Sequence, residues 1–243
     1  MKVLLTGAAG QLGRALIDKM PNEVELLATS RHGGDGLLAL DLADAKACRQ
    51  VVDEQRPDWV LNAGAYTAVD KAEAEADLAH AVNGGAPRAF AEAIQAQGGR
   101  ILQLSTDFVF SGQQGSPYRV DQDLDPLGVY GASKARGEKA VEELLGASGQ
   151  GMVLRTSWVM GPVGKNFALT MLRLHGEREQ LGVVADQVGC PSSTLNLATA
   201  CWTVITNSSN GVELPPVLHW CDGGVASWYD VSVAVGELAM DLG

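Results

Sequence analysis

Cysteine is scarce in this chain: Cys48, Cys190, Cys201 and Cys221 are the only four in 243 residues. None stands in C-x-x-C spacing and the density is far below that of a disulfide-stapled secreted domain, so free thiols are expected. Histidine is as rare, with His32, His80, His175 and His219, and no zinc-site spacing arises from either type. No bound metal is expected. Positive charge is also short. There are 18 Lys and Arg against 29 Asp and Glu, a formal charge of −11, and no basic cluster. That excludes a nucleic-acid surface and an anionic membrane surface as partners. No apolar run approaches the length needed to span a bilayer. The first residues, MKVLLTG, enter a strand pattern with no signal-peptide cleavage pattern after it, and a cytoplasmic location is the expectation. Any anionic ligand must be held by local donors.

What is present is an ordinary globular composition, 46% hydrophobic and 19% charged, long enough to bury a substantial core. Short apolar runs at 2–6, 24–29, 59–65, 100–110 and 151–160 alternate with amphipathic stretches at 11–20, 43–56, 72–97 and 130–147. Continuous apolar runs alternating with helical patterns predict βαβ units around a buried parallel sheet. The Ala-rich third stretch is expected to break at Gly84-Gly85 and Pro87. After residue 160 the rhythm changes to a helix (165–175), a strand (181–186), a helix (194–206), a strand (217–221) and a last helix (227–240). The expected fold is α/β, a Rossmann-type doubly wound parallel sheet over 1–160 with a small C-terminal substrate-binding lobe over 161–243.

The first strand runs into Thr6-Gly7-Ala8-Ala9-Gly10-Gln11-Leu12-Gly13, a G-x-x-G-x-x-G turn that opens a helix. Gly7 permits the tight turn, Gly10 lets the backbone approach a pyrophosphate, and Gly13 lets the helix pack on the sheet. The phosphates would meet free N–H groups at the helix N-terminus. The second strand ends at Ser30-Arg31, without the acidic residue that holds the ribose 2′-OH of NAD, so NADPH is favoured with NADH possible. The alternative is that Arg31 merely starts a polar loop. Asp41-Leu42 is placed to meet the adenine, and Ala63-Gly64-Ala65 leaves room where the chain passes under the cofactor.

Ser105-Thr106-Asp107 lies on the strand 100–110, where an open sheet forms its ligand crevice. In VYGASKARGEK, Tyr130 and Lys134 stand one helical turn apart and share a face. A neighbouring ammonium favours a phenolate, so Lys134 is expected to lower the Tyr130 pKa from about 10 toward neutrality and make it a general acid. Thr106 would hold the substrate oxygen. A glycine-rich first turn, a strand hydroxyl and Tyr-x-x-x-Lys in this order resemble the short-chain dehydrogenase/reductase superfamily.

The resemblance narrows. AGAYTAVDKAEAE (63–75), STDFVFSG (105–112), VYGASKARGE (129–138), LRTSWVMG (154–161), NFALTMLRL (166–174) and VVADQVGCPS (183–192) are similar to the dTDP-4-dehydrorhamnose reductase family. The likeness runs from Met1 to about Tyr229. It implies reduction of the C4 ketone of a dTDP-4-keto sugar by NADPH. It also implies that Gly10, Gln11, Leu12, Ser30, Asp41, Leu42, Ala65, Tyr66 and Thr67 line the cofactor together with Tyr130 and Lys134. Thr106, Asp107 and Trp158 stand where the family contacts the nucleotide sugar, although Trp158 also reads as a core aromatic. Family members with a magnesium-bridged dimer carry glutamates where this chain has Ala15 and Leu195, which offer no oxygen donors. A monomer or metal-independent dimer is expected. The family also continues, past the position of Gly243, with a Pro-rich segment and a further helix. Two rival functions remain: another nucleotide-sugar 4-ketoreductase, or a regulatory subunit that binds a dinucleotide without catalysis.

Overall fold

A computed structural model describes residues 1–242. Its chain order is β1 (Lys2–Thr6), α1 (Gln11–Asp18), β2 (Glu25–Ser30), β3 (Leu38–Ala39), α2 (Ala45–Gln55), β4 (Trp59–Asn62), α3 (Val69–Ala72) and α4 (Ala76–His80). A π-helical turn (Ala81–Gly85) leads into α5 (Ala86–Gln97), followed by β5 (Arg100–Thr106), a 3-10 turn (Asp107–Val109), α6 (Val129–Leu145) and β6 (Gly151–Thr156). Beyond these lie β7 (Val159–Met160), α7 (Phe167–Glu177), β8 (Val188–Gly189), β9 (Ser192–Ser193), α8 (Thr194–Ser209), β10 (Val217–His219), β11 (Ala226–Ser227) and α9 (Trp228–Leu242).

Seven strands pair in the order β10-β6-β5-β4-β1-β2-β3, and every pairing in that sheet is parallel. The chain reverses its direction of growth between β1 and β4, which makes the crevice outside their carboxyl ends the natural ligand site. Side chains alternate across the sheet with a period of two. Val3, Leu5, Trp59, Leu61, Leu102, Leu104, Met152 and Leu154 meet Ala15 and Leu16 of α1 and Leu197, Cys201, Trp202 and Ile205 of α8. Leu4, Val60, Ile101 and Val153 meet Cys48 and Val52 of α2, Phe90 and Ile94 of α5, and Val141 and Leu145 of α6. This is the Rossmann-type doubly wound sheet.

Several boundaries differ from the sequence pattern. The run 59–65 pairs only to Asn62, and 100–110 turns into the 3-10 helix at Asp107, so Asp107 lies past the strand end. The run 151–160 is interrupted at Trp158, whose φ is +44°. The Ala-rich stretch is not broken at Gly84-Gly85: the helix widens into the π turn and continues, with Pro87 in the first turn of α5, where a missing N–H costs nothing. Residues 181–186 form no strand, and only Val188–Gly189 pair there, with β11.

The segment after 160 divides its elements. Helix α8 packs on α1 under the main sheet, and β10 adds itself to the edge of that sheet beside β6, although the sequence rhythm assigned both to the lobe. Helices α7 and α9 pack on each other, and with the short pairs β7-β9 and β8-β11 they form the lobe proper. Asn166 caps α7 and Ser193 caps α8 through their side chains, each satisfying an N–H that the first helical turn leaves free.

Candidate active site

The glycine turn is built as its spacing requires. Gly7 has φ +69°, a left-handed conformation that side chains resist. A Cβ there would lie 2.6 Å from Gly64 Cα, and one at Gly13 would lie 2.2 Å from the Gly7 carbonyl. Loop, helix start and the Ala63-Gly64 segment are thus in backbone contact. No side chain caps α1, so its first N–H groups remain free for an anion. These features fit a dinucleotide pyrophosphate. Beside them a cleft of about 200 Å³ gathers Gly7, Ser30, Arg31, Asp41, Leu42, Ala65 and Tyr66 from the expected set. It adds Leu40, Gly64, Leu78 and Val82, apolar walls for a base. Thr67 is exposed and, like Ala63, lies outside these walls. Gln11 turns toward the lobe: its amide donates to the Val159 carbonyl at 3.1 Å and accepts from Asn166 at 3.1 Å. Leu12 packs against the core.

Arg31 is not a free cation. Its Nε donates to Asp41 Oδ2 at 3.2 Å, with both side chains exposed. Ser30 Oγ takes the Gly33 N–H at 3.1 Å. A 2′-phosphate would compete with Asp41 for the guanidinium.

A buried polar row runs beneath the cofactor crevice. Thr6 Oγ1 donates to Asn62 Oδ1 at 2.6 Å and accepts the Gly64 N–H at 2.9 Å. Asn62 donates to Gln103 at 2.7 Å, and Gln103 donates to the Leu104 carbonyl at 2.7 Å. Lys134 Nζ reaches that same carbonyl at 2.6 Å. Nearby, Asn83 in the π turn accepts the Tyr66 N–H at 2.9 Å and donates to Ser133 Oγ at 3.0 Å, tying the Tyr66 backbone to α6. Sequence reasoning missed Asn83 and Gln103. A polar residue in each otherwise apolar stretch was the available signal.

At the carboxyl end of β5, Thr106 Oγ1 contacts Asp107 Oδ1 at 3.0 Å and accepts the Phe108 N–H at 3.2 Å. Thr106 stands close enough to the Tyr130 phenol to pull its pKa down. Phe108 stands edge-on to the Tyr130 ring, 5.5 Å between centroids. The expected fall of the Tyr130 pKa is overturned. Burial pushes the phenol up to about 12, with Thr106 pulling it back and the Asp107 carboxylate adding to the rise. The Lys134 ammonium, for its part, is directed at the Leu104 carbonyl. Burial brings Lys134 itself down to about 8, with Glu138 opposing. Burial also raises the Asp107 carboxyl, against hydrogen bonds from Thr106 and its own backbone region.

Trp158 stacks on Trp228 at 3.6 Å and 7°, and Phe167 leans on the same Trp228 ring at 4.5 Å. On another side Trp158 meets Gly189, where an added Cβ would stand 2.5 Å from the indole. Trp158 is therefore half-buried among lobe residues, and its left-handed backbone is held by that packing. Trp228, absent from the sequence expectation, is its partner. Ala15 and Leu195, from α1 and the start of α8, share a separate surface cleft with Asp18 as its one carboxylate.

The family described as RmlD substrate binding domain matches residues 1–241. The chain belongs to this RmlD family. A Streptomyces griseus dTDP-4-dehydrorhamnose reductase is 40% identical over 225 residues, covering 93% of this chain and 72% of that protein. The solved structure of a Clostridium acetobutylicum dTDP-4-dehydrorhamnose reductase superposes with a TM-score of 0.89 at 36% identity, covering 99% of this chain and 81% of the other. The structure of a Bacillus anthracis dTDP-4-dehydrorhamnose reductase, solved in complex with NADP, gives 0.86 at 34% identity, with 98% and 80% covered.

Proposed function

We propose that this chain reduces the C4 ketone of dTDP-4-dehydro-L-rhamnose to the alcohol of dTDP-L-rhamnose, using NADPH, as a cytoplasmic enzyme of dTDP-rhamnose biosynthesis. The observation that carries the reading is Tyr130 packed on Phe108 and Lys134 bonded to the Leu104 carbonyl, both next to Thr106 at the end of β5, in a chain of the RmlD family. NADPH supplies the hydride when bound. Tyr130 is a phenol throughout the neutral range because its pKa is about 12, so it holds the proton that the developing alkoxide takes up. Thr106 orients the ketone oxygen. Lys134 is set to hold the nicotinamide ribose, and Trp158 and Asp107 to border the sugar. Gly7, Gly10 and Gly13 would let the backbone N–H groups at the start of α1 hold the pyrophosphate.

NADPH is the preferred cofactor in this reading, with Ser30 and Arg31 taking the 2′-phosphate. The Arg31–Asp41 pair supports NADH as a second substrate, since the guanidinium is already neutralised. The protein works as a monomer or a metal-independent dimer. The test is turnover: loss of NADPH absorbance with dTDP-4-dehydro-L-rhamnose, and with UDP-linked 4-keto sugars for comparison. Reduction of the dTDP sugar is expected. Cofactor binding without turnover would favour the regulatory-subunit alternative. Replacing Ser30 by Asp together with Arg31 by Ala should reverse the NADPH preference, as read by fluorescence titration of both cofactors.

A further inference from the structure

Arg155, near the carboxyl end of β6, takes no part in the chemistry above, yet its guanidinium joins four parts of the chain. Nε reaches the two Glu138 oxygens at 3.1 and 3.0 Å, and Nη2 reaches Glu138 Oε2 at 2.7 Å. Nη1 donates to the Val120 carbonyl at 3.1 Å and to His219 Nε2 at 3.1 Å. The guanidinium carbon lies 5.1 Å from the Phe110 ring centroid, and Phe110 stacks on Tyr118 at 4.3 Å. Arg155 and Glu138 side chains are only 7% and 4% exposed. Glu138 stands one helical turn beyond Lys134, and His219 ends β10. Phe110, Tyr118 and Val120 belong to the irregular segment that leaves β5 through Thr106 and Asp107.

A buried ion pair adds little net stability, because desolvating two charges offsets most of their attraction. What the fixed fork of an arginine supplies is geometry. Here it fastens an irregular segment, which has no ladder of its own, to α6 and the sheet. The same segment carries Phe108 against the Tyr130 ring.

We propose that Arg155 is a positioning residue for the sugar pocket: with Glu138 it pins residues 108–121 beside Tyr130, and the pin holds only while His219 is neutral. The proposal rests on the reductase reading above. To accept from Nη1, His219 Nε2 must carry a lone pair. The Tyr118 backbone also faces the ring. The charged groups facing it are Arg155 from β6 and Glu138 from α6. The 110–121 segment presents Phe110, edge-on at 5.9 Å, and Tyr118, whose phenol oxygen takes the Gln114 N–H. Protonation removes the acceptor and sets a second cation against Arg155. Burial and Arg155 hold His219 below its ordinary value of 6.5, so the neutral ring persists at neutral pH and is lost only as the medium turns acid.

The experiment measures KM and kcat for the keto sugar at saturating NADPH, with NADPH affinity by fluorescence, at pH about 7.5 and about 5.5, where only histidine among unperturbed side chains changes charge. Two variants accompany the parent. H219Q keeps an acceptor near Nε2 and cannot titrate; the double variant R155M/E138L removes both charges without orphaning either. For the parent, sugar KM should rise about three- to tenfold at the acid pH while NADPH affinity holds. H219Q should lose that rise. The double variant should show a raised sugar KM at both pH values, without the parent's rise at the acid one. Equal pH profiles for parent and H219Q would overturn the role of His219, and a folded double variant with parental KM would overturn that of Arg155. Hydrogen exchange across 108–121, compared between parent and H219Q at each pH, decides the same point without turnover. If no keto sugar is reduced, the functional reading fails while exchange still tests the pin.

Discussion

At Tyr130 the question of mechanism reduces to one hydroxyl. Tyr130→Phe removes it with little change of volume, so fold and NADPH affinity should survive while single-turnover reduction falls about 10²–10⁴-fold. A parental rate in that variant would move the proton donor elsewhere. Lys134→Met should lose both catalysis and cofactor affinity, because its ammonium is proposed to serve the ribose as well as the site. Burial gives Lys134 a pKa of about 8 against an ordinary 10.5, and the sign follows directly. The lysine is charged below about 8 and neutral above it. Reduction should therefore decline as pH rises through about 8, and Lys134→Met should lack that limb. For stability the burden of the buried cation is present below about 8 and is relieved as pH rises toward 10.5. The position of Thr106 at the end of β5 and of Tyr130 and Lys134 together on α6 was legible from residue type and order. The direction of the Tyr130 shift was not, since sequence spacing says nothing of where the Lys134 ammonium points.

Among the elements, α6 carries the proposed proton donor, and its start is fitted closely to the 3-10 turn after β5. A Cβ at Gly131 would lie 2.1 Å from the Phe108 carbonyl oxygen and 3.0 Å from Pro126. Gly131→Ala must therefore push the first turn of α6, and Tyr130 with it, away from Thr106. Overpacking of this kind costs about 1–3 kcal/mol, which at this chain length lowers Tm by roughly 2–4 °C per kcal/mol. Calorimetry and sugar turnover should both register it, and a variant with parental Tm and rate would show that the contact is slack. The strands β1, β4, β5 and β6 were legible because each is a buried apolar run. The π turn at Ala81–Gly85 was not, because its cause lies outside the helix. Widening the turn places Asn83 where it bonds both Tyr66 and Ser133, and Gly137 of α6 packs on the Asn83 carbonyl, where an added Cβ would lie 2.2 Å from its oxygen. Residues 181–186 were misjudged as a strand because they lie largely exposed, and the Tyr229 N–H to Val184 carbonyl bond does not build a ladder.

For the whole molecule, the absence of oxygen donors at Ala15 and Leu195 bears on assembly. Chelation by EDTA should leave both activity and the molecular mass in light scattering unchanged, and a dimer that dissociates on chelation would contradict the expectation. Cys48 and Cys201 lie fully in the two core layers, and burial pushes each thiol up to about 12, so neither is placed to react at neutral pH. The sequence by itself determined the parallel α/β sheet, the glycine turn that opens α1, and the placement of Thr106 on β5 with Tyr130 and Lys134 on α6. All of these depend on local periodicity and on spacing within one element. Only the tertiary structure decided that β10 and α8 return to the main sheet, that Arg31 pairs with Asp41, that Trp158 rests on Trp228, and that Arg155 gathers Glu138, Val120 and His219. Each of these joins residues far apart in the chain, and their meeting depends on how the layers pack rather than on any pattern a single segment can carry.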